Sequence, residues 1–247
     1  MTQRIRAPGP SPESEATMSY TLFYAPDSAN IVVRMVLEEL AVPYEALEVN
    51  STHGGQRSEA FLRFNPQGLL PVLVDPAQDE PLFETAAILL HLADTHQALQ
   101  PPPAGRGRLL KWLFFLSNTL HADLRALFYS ERYVATESAV APLRTALHRR
   151  VTEHCALLEA EIERHQGPYV LGAQPTICDF YVAACIRWAQ LYPHGDALPS
   201  AQLAQYPRLM AMLRGLEQRP AVQKAYALEG MDGSVFTAPN YPRDAAV

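Results

Sequence analysis

The sequence predicts an α/β N-terminal half followed by an all-helical C-terminal half, and three observations support this fold class. Before residue 97, short apolar β runs alternate with helical patterns, as in a sheet with helices packed on it. Residues 100–107 are rich in proline and glycine and follow neither period, as expected of a linker. Beyond the linker, apolar residues recur at helical spacing.

The N-terminal elements begin with a β run at residues 19–24 and a helix at 30–40. In chain order there follow a strand at 43–49, a short helix at 58–64, a third strand at 72–75, a fourth strand at 80–83 in hairpin with it, and a helix at 85–93. The order β-α-β and then β-β-α is typical of a thioredoxin-like domain with a mixed four-stranded sheet.

The C-terminal elements are helical patterns at residues 109–133, 143–165 and 206–216. Thr176 and Asp179 precede the apolar stretch 180–188 with the spacing of a capping box, which predicts a further helix there. We therefore divide the chain into a disordered extension at 1–17, a thioredoxin-like domain at 18–97, a linker at 98–107, a helical domain at 108–230 and a tail at 231–247. The extension has no apolar signal segment, and Met18 is a candidate start.

Composition excludes several classes of protein. The chain has 247 residues, of which 48% are hydrophobic and 19% charged, and its formal net charge is −6. These values indicate a soluble globular protein and argue against a general nucleic-acid binder. No apolar run is long enough to span a membrane. The three cysteines form no C-x-x-C pair, which favours a reducing, cytoplasmic location, and no cluster predicts a metal or nucleotide site.

Two neighbouring segments predict a site for a small zwitterionic peptide. The run N-P-Q-G-L-L-P-V-L occupies residues 65–73, and Pro71 restricts Leu70 to extended geometry at the entrance of a strand. Only X-Pro bonds are cis at an appreciable rate, so we expect a cis bond before Pro71. The amide and carbonyl of Leu70 are then free to pair with an extended ligand. Glu84 and Thr85 begin the next helix, where Glu84 can accept from an ammonium group and Thr85 can donate to a carboxylate; alternatively, they are only a helix start.

Read together, the segments resemble the glutathione-binding half of glutathione S-transferases. Residues 65–73 have the N-P-x-G-x-x-P-x-L form of that family, and E-T-A-A-I at 84–88 is similar to its E-[ST]-x-A-I signature. The family carries a similar buried Ser/Thr-x-x-Asp cap, so the resemblance covers about residues 19–230. It implies glutathione as a co-substrate, no permanently bound cofactor, and a homodimer.

A glutathione enzyme must stabilise the thiolate of its ligand, because a free thiol is mostly protonated at neutral pH. Tyr24, Ser28 and Asn30 lie where a donor is needed, after the first strand. The start S-A-N-I at 28–31 resembles that of Ser-type transferases, especially the phi class, although its spacing to L-E-E at 37–39 is one residue shorter. Ser28 is our preferred donor, with Asn30 in support and Tyr24 as the alternative. Residues 25–31 contain no cysteine, which counts against a mixed-disulfide mechanism.

Further contacts follow from the same resemblance. Gln56 and Arg57 are similar to loop residues that hold the glycine carboxylate of glutathione, and their side chains suit a carboxylate. The long helix after the linker is expected to form the electrophile site across the domain cleft. Its candidates are Trp112, Phe115, Asn118 and Thr119, with Arg108 and His121 as possible polar contacts.

The sequence thus predicts a glutathione S-transferase that conjugates the glutathione thiolate to small electrophiles. The alternatives on the same scaffold are a glutathione-dependent reductase or disulfide oxidoreductase, an isomerase or an ether-cleaving enzyme. A non-catalytic binding module is the alternative from another class.

Overall fold

The structure is a computed structural model that describes residues 19–50, 54–193, 195 and 197–243. The expected disordered extension at 1–17, the candidate start Met18 and the end of the predicted tail lie outside the described residues.

The N-terminal half contains a four-stranded mixed sheet in the order β2-β1-β3-β4. Its strands are β1 (Tyr20–Tyr24), β2 (Tyr44–Glu48), β3 (Val72–Val74) and β4 (Leu82–Phe83). Strand β1 is parallel to β2 and antiparallel to β3, with Leu22 opposite Leu73. Because side chains alternate along a strand, Leu22 enters the main core, whereas Phe23 packs on the other face against Phe61 and Phe64.

Three helices accompany this sheet: α1 (Asn30–Glu39), α2 (Glu59–Leu62) and α3 (Thr85–His96). Helix α1 is the most deeply buried, because eight of its ten residues from Asn30 to Leu37 are buried. It packs against α3 on one side and against the C-terminal half on the other. The predicted mixed sheet with helices is confirmed.

The C-terminal half is helical, as predicted. Its helices are α4 (Arg106–Phe115), α5 (His121–Phe128), α6 (Val140–His165), α7 (Ile177–Leu191), α8 (Ser200–Leu203), α9 (Pro207–Glu217) and α10 (Pro220–Ala227). The single helix predicted over 109–133 is interrupted by a π-helical segment at Leu116–Leu120, and its last residues form a separate 3₁₀ turn. Helices α8 and α10 were not predicted, because a one-turn helix and a two-turn helix give little periodic signal.

Helix α7 forms the centre of this half, and the described residues from Ile177 to Ala189 are all buried. It starts with the predicted capping box. Asp179 accepts hydrogen bonds from the Thr176 backbone N–H at 2.7 Å and the Thr176 hydroxyl at 2.9 Å. The Val170 N–H donates to the other carboxylate oxygen at 2.8 Å, so Asp179 also fixes the preceding loop. No helix within the described ranges is long and apolar enough to cross a membrane.

Candidate active site

The loop before β3 presents an unpaired stretch of backbone. The Leu70–Pro71 peptide bond is cis, as predicted. Asn65 shapes the loop, since its side chain donates to the Leu69 carbonyl at 2.8 Å and accepts from the Gln67 N–H at 3.0 Å. Within the described part of the chain, no hydrogen bond engages the Leu70 N–H or carbonyl. Leu70 therefore retains one donor and one acceptor for an extended ligand.

Glu84 stands at the start of α3 in an unusual backbone conformation, with φ 73° and ψ 112°. A non-glycine residue in this region is strained, and such strain concentrates at ligand-binding sites. Its side chain is exposed, and Oε1 accepts from Gln67 Nε2 at 3.3 Å. This contact joins the loop of Leu70 to the helix start, so the two predicted binding segments lie side by side.

Thr85 differs from the sequence expectation because it is buried rather than open to a ligand. Its hydroxyl is a hydrogen-bond partner of Tyr181 on α7, where burial raises the pKa of the Tyr181 hydroxyl well above its usual value. The Tyr181 hydroxyl also lies 2.8 Å from His121 Nδ1. Burial, followed by the charge of Arg125, lowers the pKa of His121 to about 4, so its imidazole is neutral at physiological pH.

Gln56 and Arg57 lie next to the same loop. They belong to a 3₁₀ turn at Gly55–Arg57, and Arg57 Nη1 donates to the Gln67 carbonyl at 3.3 Å. Gly68 makes this approach possible, because its φ is +65° and a Cβ there would lie 2.8 Å from the Gln56 carbonyl. The structure thus brings Gln56, Arg57 and Glu84 next to the loop that carries Leu70.

Ser28 follows β1 and precedes α1, and its hydroxyl donates to Asn30 Oδ1. The same oxygen accepts the Ala25 N–H at 3.1 Å, which closes the turn of residues 25–30. Asn30 is fully buried, whereas Ser28 is only partly buried. The two residues therefore form one unit, in which Asn30 accepts the hydrogen bond of the Ser28 hydroxyl.

Tyr24 has a different environment. Its ring lies against the Arg34 guanidinium, 4.4 Å from the ring centroid, and its hydroxyl lies 3.5 Å from Glu48 Oε2 on β2. Burial, followed by the charge of Glu48, raises the pKa of Tyr24 above its usual value, which makes it a weaker hydrogen-bond donor. The structure groups Tyr24 with Arg34 and Glu48 rather than with Ser28.

A buried carboxylate lies beneath the Ser28 turn. Glu229, in the turn after α10, accepts from Asn30 Nδ2 and Arg34 Nε, both at 2.8 Å, and from the Asp27 N–H at 2.9 Å. Burial raises the pKa of Glu229 to about 7, although the Arg34 charge acts in the opposite direction. Sequence reasoning missed Glu229. The available signal was the i, i+4 pair of polar residues Asn30 and Arg34 on an otherwise apolar face of α1.

The side chain of Asp27 links this turn to α7. Arg187 binds it through Nε and Nη2, both at 2.8 Å, and the side chains of both residues are fully buried. The Tyr192 hydroxyl donates to the same carboxylate at 2.6 Å. Arg187 also donates to the carbonyls of Val235 and Asn240, so the segment after α10 packs on α7.

The four candidate electrophile contacts do not share one environment. Trp112 is buried, and its indole N–H donates to Glu161 on α6 at 2.7 Å. Phe115 packs edge-on against Trp112 and against His154 of α6. Asn118 is exposed and Thr119 is partly buried, and both belong to the π-helical segment. Arg108 contacts the ring of His165 at 3.1 Å. Trp112 and Phe115 therefore both have partners on α6, and their proposed contact with an electrophile stays a prediction.

Comparison with known proteins establishes the family. The model of the N-terminal domain of glutathione S-transferases matches residues 18–94, and the model of their C-terminal domain matches residues 141–214. The chain is 29% identical over 211 residues to the disulfide-bond oxidoreductase YfcG of Escherichia coli, which covers 83% of this chain and 93% of that protein. It is 28% identical over 212 residues to glutathione S-transferase 3 of Zea mays, with 83% and 92% covered.

The solved structures agree in fold. The crystal structure of a glutathione transferase homologue from Sulfitobacter, with bound glutathione, has a TM-score of 0.73 at 23% identity and covers 85% of this chain and 98% of that chain. At this identity the likeness shows the fold alone. Since both halves of the chain match models of one family, the chain belongs to the glutathione S-transferase family. Within the described ranges, no group of His, Cys, Asp and Glu is arranged to hold a metal ion.

Proposed function

We propose that this protein binds glutathione at the edge formed by Leu70, Glu84 and the Arg57 turn, and adds its thiolate to small electrophiles. The observation that carries the proposal is the convergence of three different binding groups on one loop. Leu70 offers a free amide and carbonyl, Glu84 an exposed carboxylate held in a strained conformation, and Arg57 a guanidinium. An extended peptide with an ammonium group at one end and a carboxylate at the other matches this arrangement.

Each part of glutathione then has a partner. The Leu70 backbone pairs with the cysteinyl residue, and Glu84 accepts from the γ-glutamyl ammonium. The γ-glutamyl carboxylate lies at the start of α3, where the free N–H groups of the first turn, including that of Thr85, favour an anion. Arg57 and Gln56 bind the glycine carboxylate.

Ser28 is the proposed thiolate donor, supported by Asn30. In the free protein the Ser28 hydrogen is held by Asn30 Oδ1, so thiolate formation exchanges a neutral hydrogen bond for one to an anion. The exchange is favourable, because a hydrogen bond to a charged group contributes about 1.5 to 3 kcal/mol and a neutral one ~1 kcal/mol. Tyr24 is the weaker candidate, since its hydroxyl is near Glu48 and its pKa is raised.

We propose that the electrophile contacts the π-helical segment, which includes Asn118 and Thr119, and the neighbouring His121. Local π-helical turns within α-helices are frequent at functional sites. We also propose a cytoplasmic homodimer. The reducing location is supported by the three cysteines, which are buried and free.

The test begins with isothermal titration of glutathione into the wild type and Glu84→Gln. We expect micromolar to millimolar binding, ~4 to 8 kcal/mol, and a strong loss in the variant because the ammonium loses its charged partner. Glu59→Gln is the matched control, because Glu59 is an exposed acid of the same domain whose ion pair, in the described part of the chain, is with Arg63. No heat with the wild type would reject the proposal.

Turnover is then measured with halogenated aromatic, epoxide and peroxide substrates for the wild type, Ser28→Ala and Tyr24→Phe. Ser28→Ala should retain affinity for glutathione and lose one to two decades of rate, equivalent to about 1.5 to 3 kcal/mol. Tyr24→Phe should change little. The opposite pattern would assign the thiolate donor to Tyr24.

The second candidate is glutathione-dependent disulfide reduction, which the similarity to the E. coli disulfide-bond oxidoreductase favours. In this reaction the glutathione thiolate attacks a disulfide sulfur, forms a mixed disulfide and releases the other sulfur as a thiolate. A low-molecular-weight disulfide is therefore included among the substrates. Turnover with the disulfide alone would favour this candidate, and binding without any turnover would favour a non-catalytic module.

A further inference from the structure

The turn of residues 25–30, which carries Ser28, is stabilised by a carboxylate from a distant part of the chain, that of Glu229. Glu229 accepts the Asp27 N–H in the middle of the turn and Asn30 Nδ2 at its end. Asn30 in turn accepts the Ala25 N–H and the Ser28 hydroxyl through Oδ1. Helix α7 contacts the same turn at Asp27, through Arg187, Trp188 and Tyr192. The side-chain contacts to Ala25 and Ser28 pass through the Asn30 amide, which Glu229 orients.

We propose that Glu229 is a positioning residue for thiolate formation, acting through Asn30 on the Ser28 hydroxyl. The inference rests on the proposed function. Glu229 does not reach the ligand side itself, because it is buried beneath Asn30 and Arg34. Its effect is geometric. It orients the Asn30 amide so that Oδ1 accepts the Ala25 N–H, and it accepts the Asp27 N–H, so it fixes the backbone of the turn that carries Ser28.

Both oxygens of Glu229 are used as acceptors in this contact. Glu229 uses Oε1 for Asn30 and Arg34, and Oε2 for the Asp27 N–H. A glutamine at this position has a single oxygen, so its NH₂ group must face at least one of these donors. The turn then loses a buried hydrogen bond, and Ser28 loses its fixed position.

For Glu229→Gln, a purely electrostatic effect and a positioning effect predict opposite shifts in the pKa of the bound thiol. Removal of a negative charge near the sulfur favours the thiolate and lowers the pKa of the bound thiol. Loss of the Ser28 position removes a donor from the thiolate and raises that pKa. The sign of the shift therefore separates the two explanations.

The experiment measures the near-ultraviolet thiolate absorbance of bound glutathione against pH, with turnover in parallel. For Glu229→Gln we expect the thiol pKa to rise by about one unit and kcat below that pKa to fall about tenfold, with the KM for glutathione little changed. Glu217→Gln is the matched control. Glu217 is also a buried acid near the C-terminus, but it accepts from the Thr237 hydroxyl at 2.6 Å, and its substitution should leave the thiol pKa unchanged.

A second variant and a double mutant complete the test. Glu229→Asp keeps the charge but shortens the side chain by one methylene, so it should also raise the thiol pKa even if the glutamine variant fails to fold. In a Ser28→Ala background, Glu229→Gln should produce no further rise. A fall in the thiol pKa in Glu229→Gln, or a rise that persists without the Ser28 hydroxyl, would overturn the inference. Failure of the proposed function is distinct, because it would appear in the wild type as the absence of any thiolate band.

Discussion

Replacement of Asp179 by alanine should destabilise the protein, and the loss should depend on pH. The carboxylate accepts the N–H groups of Val170 and Thr176 in a fully buried site, at 2.8 and 2.7 Å. Each buried N–H left without an acceptor costs about 1 to 3 kcal/mol, so the two together cost ~2 to 6 kcal/mol at neutral pH.

The sign of the pH dependence follows from the burial of the charge. Burial raises the pKa of Asp179 from 3.8 to about 6, in spite of the hydrogen bonds that it accepts. A raised pKa means that the folded state binds a proton more tightly than the unfolded state does. The proton-linked part of the Asp179 contribution is therefore complete below the unfolded value of 3.8 and is lost as the pH rises through about 6, whereas the hydrogen bonds to Val170 and Thr176 contribute at both pH values. Because pH 5 lies one unit below the folded pKa, Asp179→Ala should cost ~1.4 kcal/mol more at pH 5 than at pH 8.

The assay is urea unfolding followed by circular dichroism at pH 5 and pH 8, for the wild type and Asp179→Ala. Asp232→Ala serves as the control. Asp232 is exposed, its ion pair within the described residues is with Arg243, and such a pair contributes under about 1 kcal/mol. If Asp179→Ala lowers the free energy of unfolding more at pH 8 than at pH 5, the argument that burial of the charge weakens the stabilisation by Asp179 is refuted.

Two further predictions test the links between the site and the rest of the fold. Arg187→Met should lower the free energy of unfolding by about 3 to 5 kcal/mol, because Asp27 would remain as a buried charge without its cation; a loss under 1 kcal/mol in urea unfolding would contradict this. Gly68→Ala should weaken glutathione binding in calorimetry by at least tenfold while the melting temperature falls by only a few degrees, since a Cβ would clash with the Gln56 carbonyl and displace the Arg57 turn. Gly107→Ala is its control, as a Cβ there meets no atom within 4 Å.

The sequence alone determined the fold class and the parts of the site that depend on local geometry. Pro71 restricts its own backbone and that of Leu70, so the extended, cis-bonded loop was readable from nine consecutive residues. Thr176 and Asp179 were likewise readable, because a capping box spans three positions of one helix turn. Glu84 was predicted as a binding residue from its place at a helix start, but its strained backbone conformation was not predicted.

Only the tertiary structure decided the contacts that join distant parts of the chain. Glu229 lies 199 positions from Asn30 along the chain, and no local pattern connects them. The surroundings of the Tyr24 hydroxyl are also tertiary, since its neighbour Glu48 lies on β2, whereas the Ser28–Asn30 contact is local. Trp112 was expected at the cleft because aromatic residues suit an electrophile site. Periodicity shows that a helix has faces, but only packing shows which face meets α6.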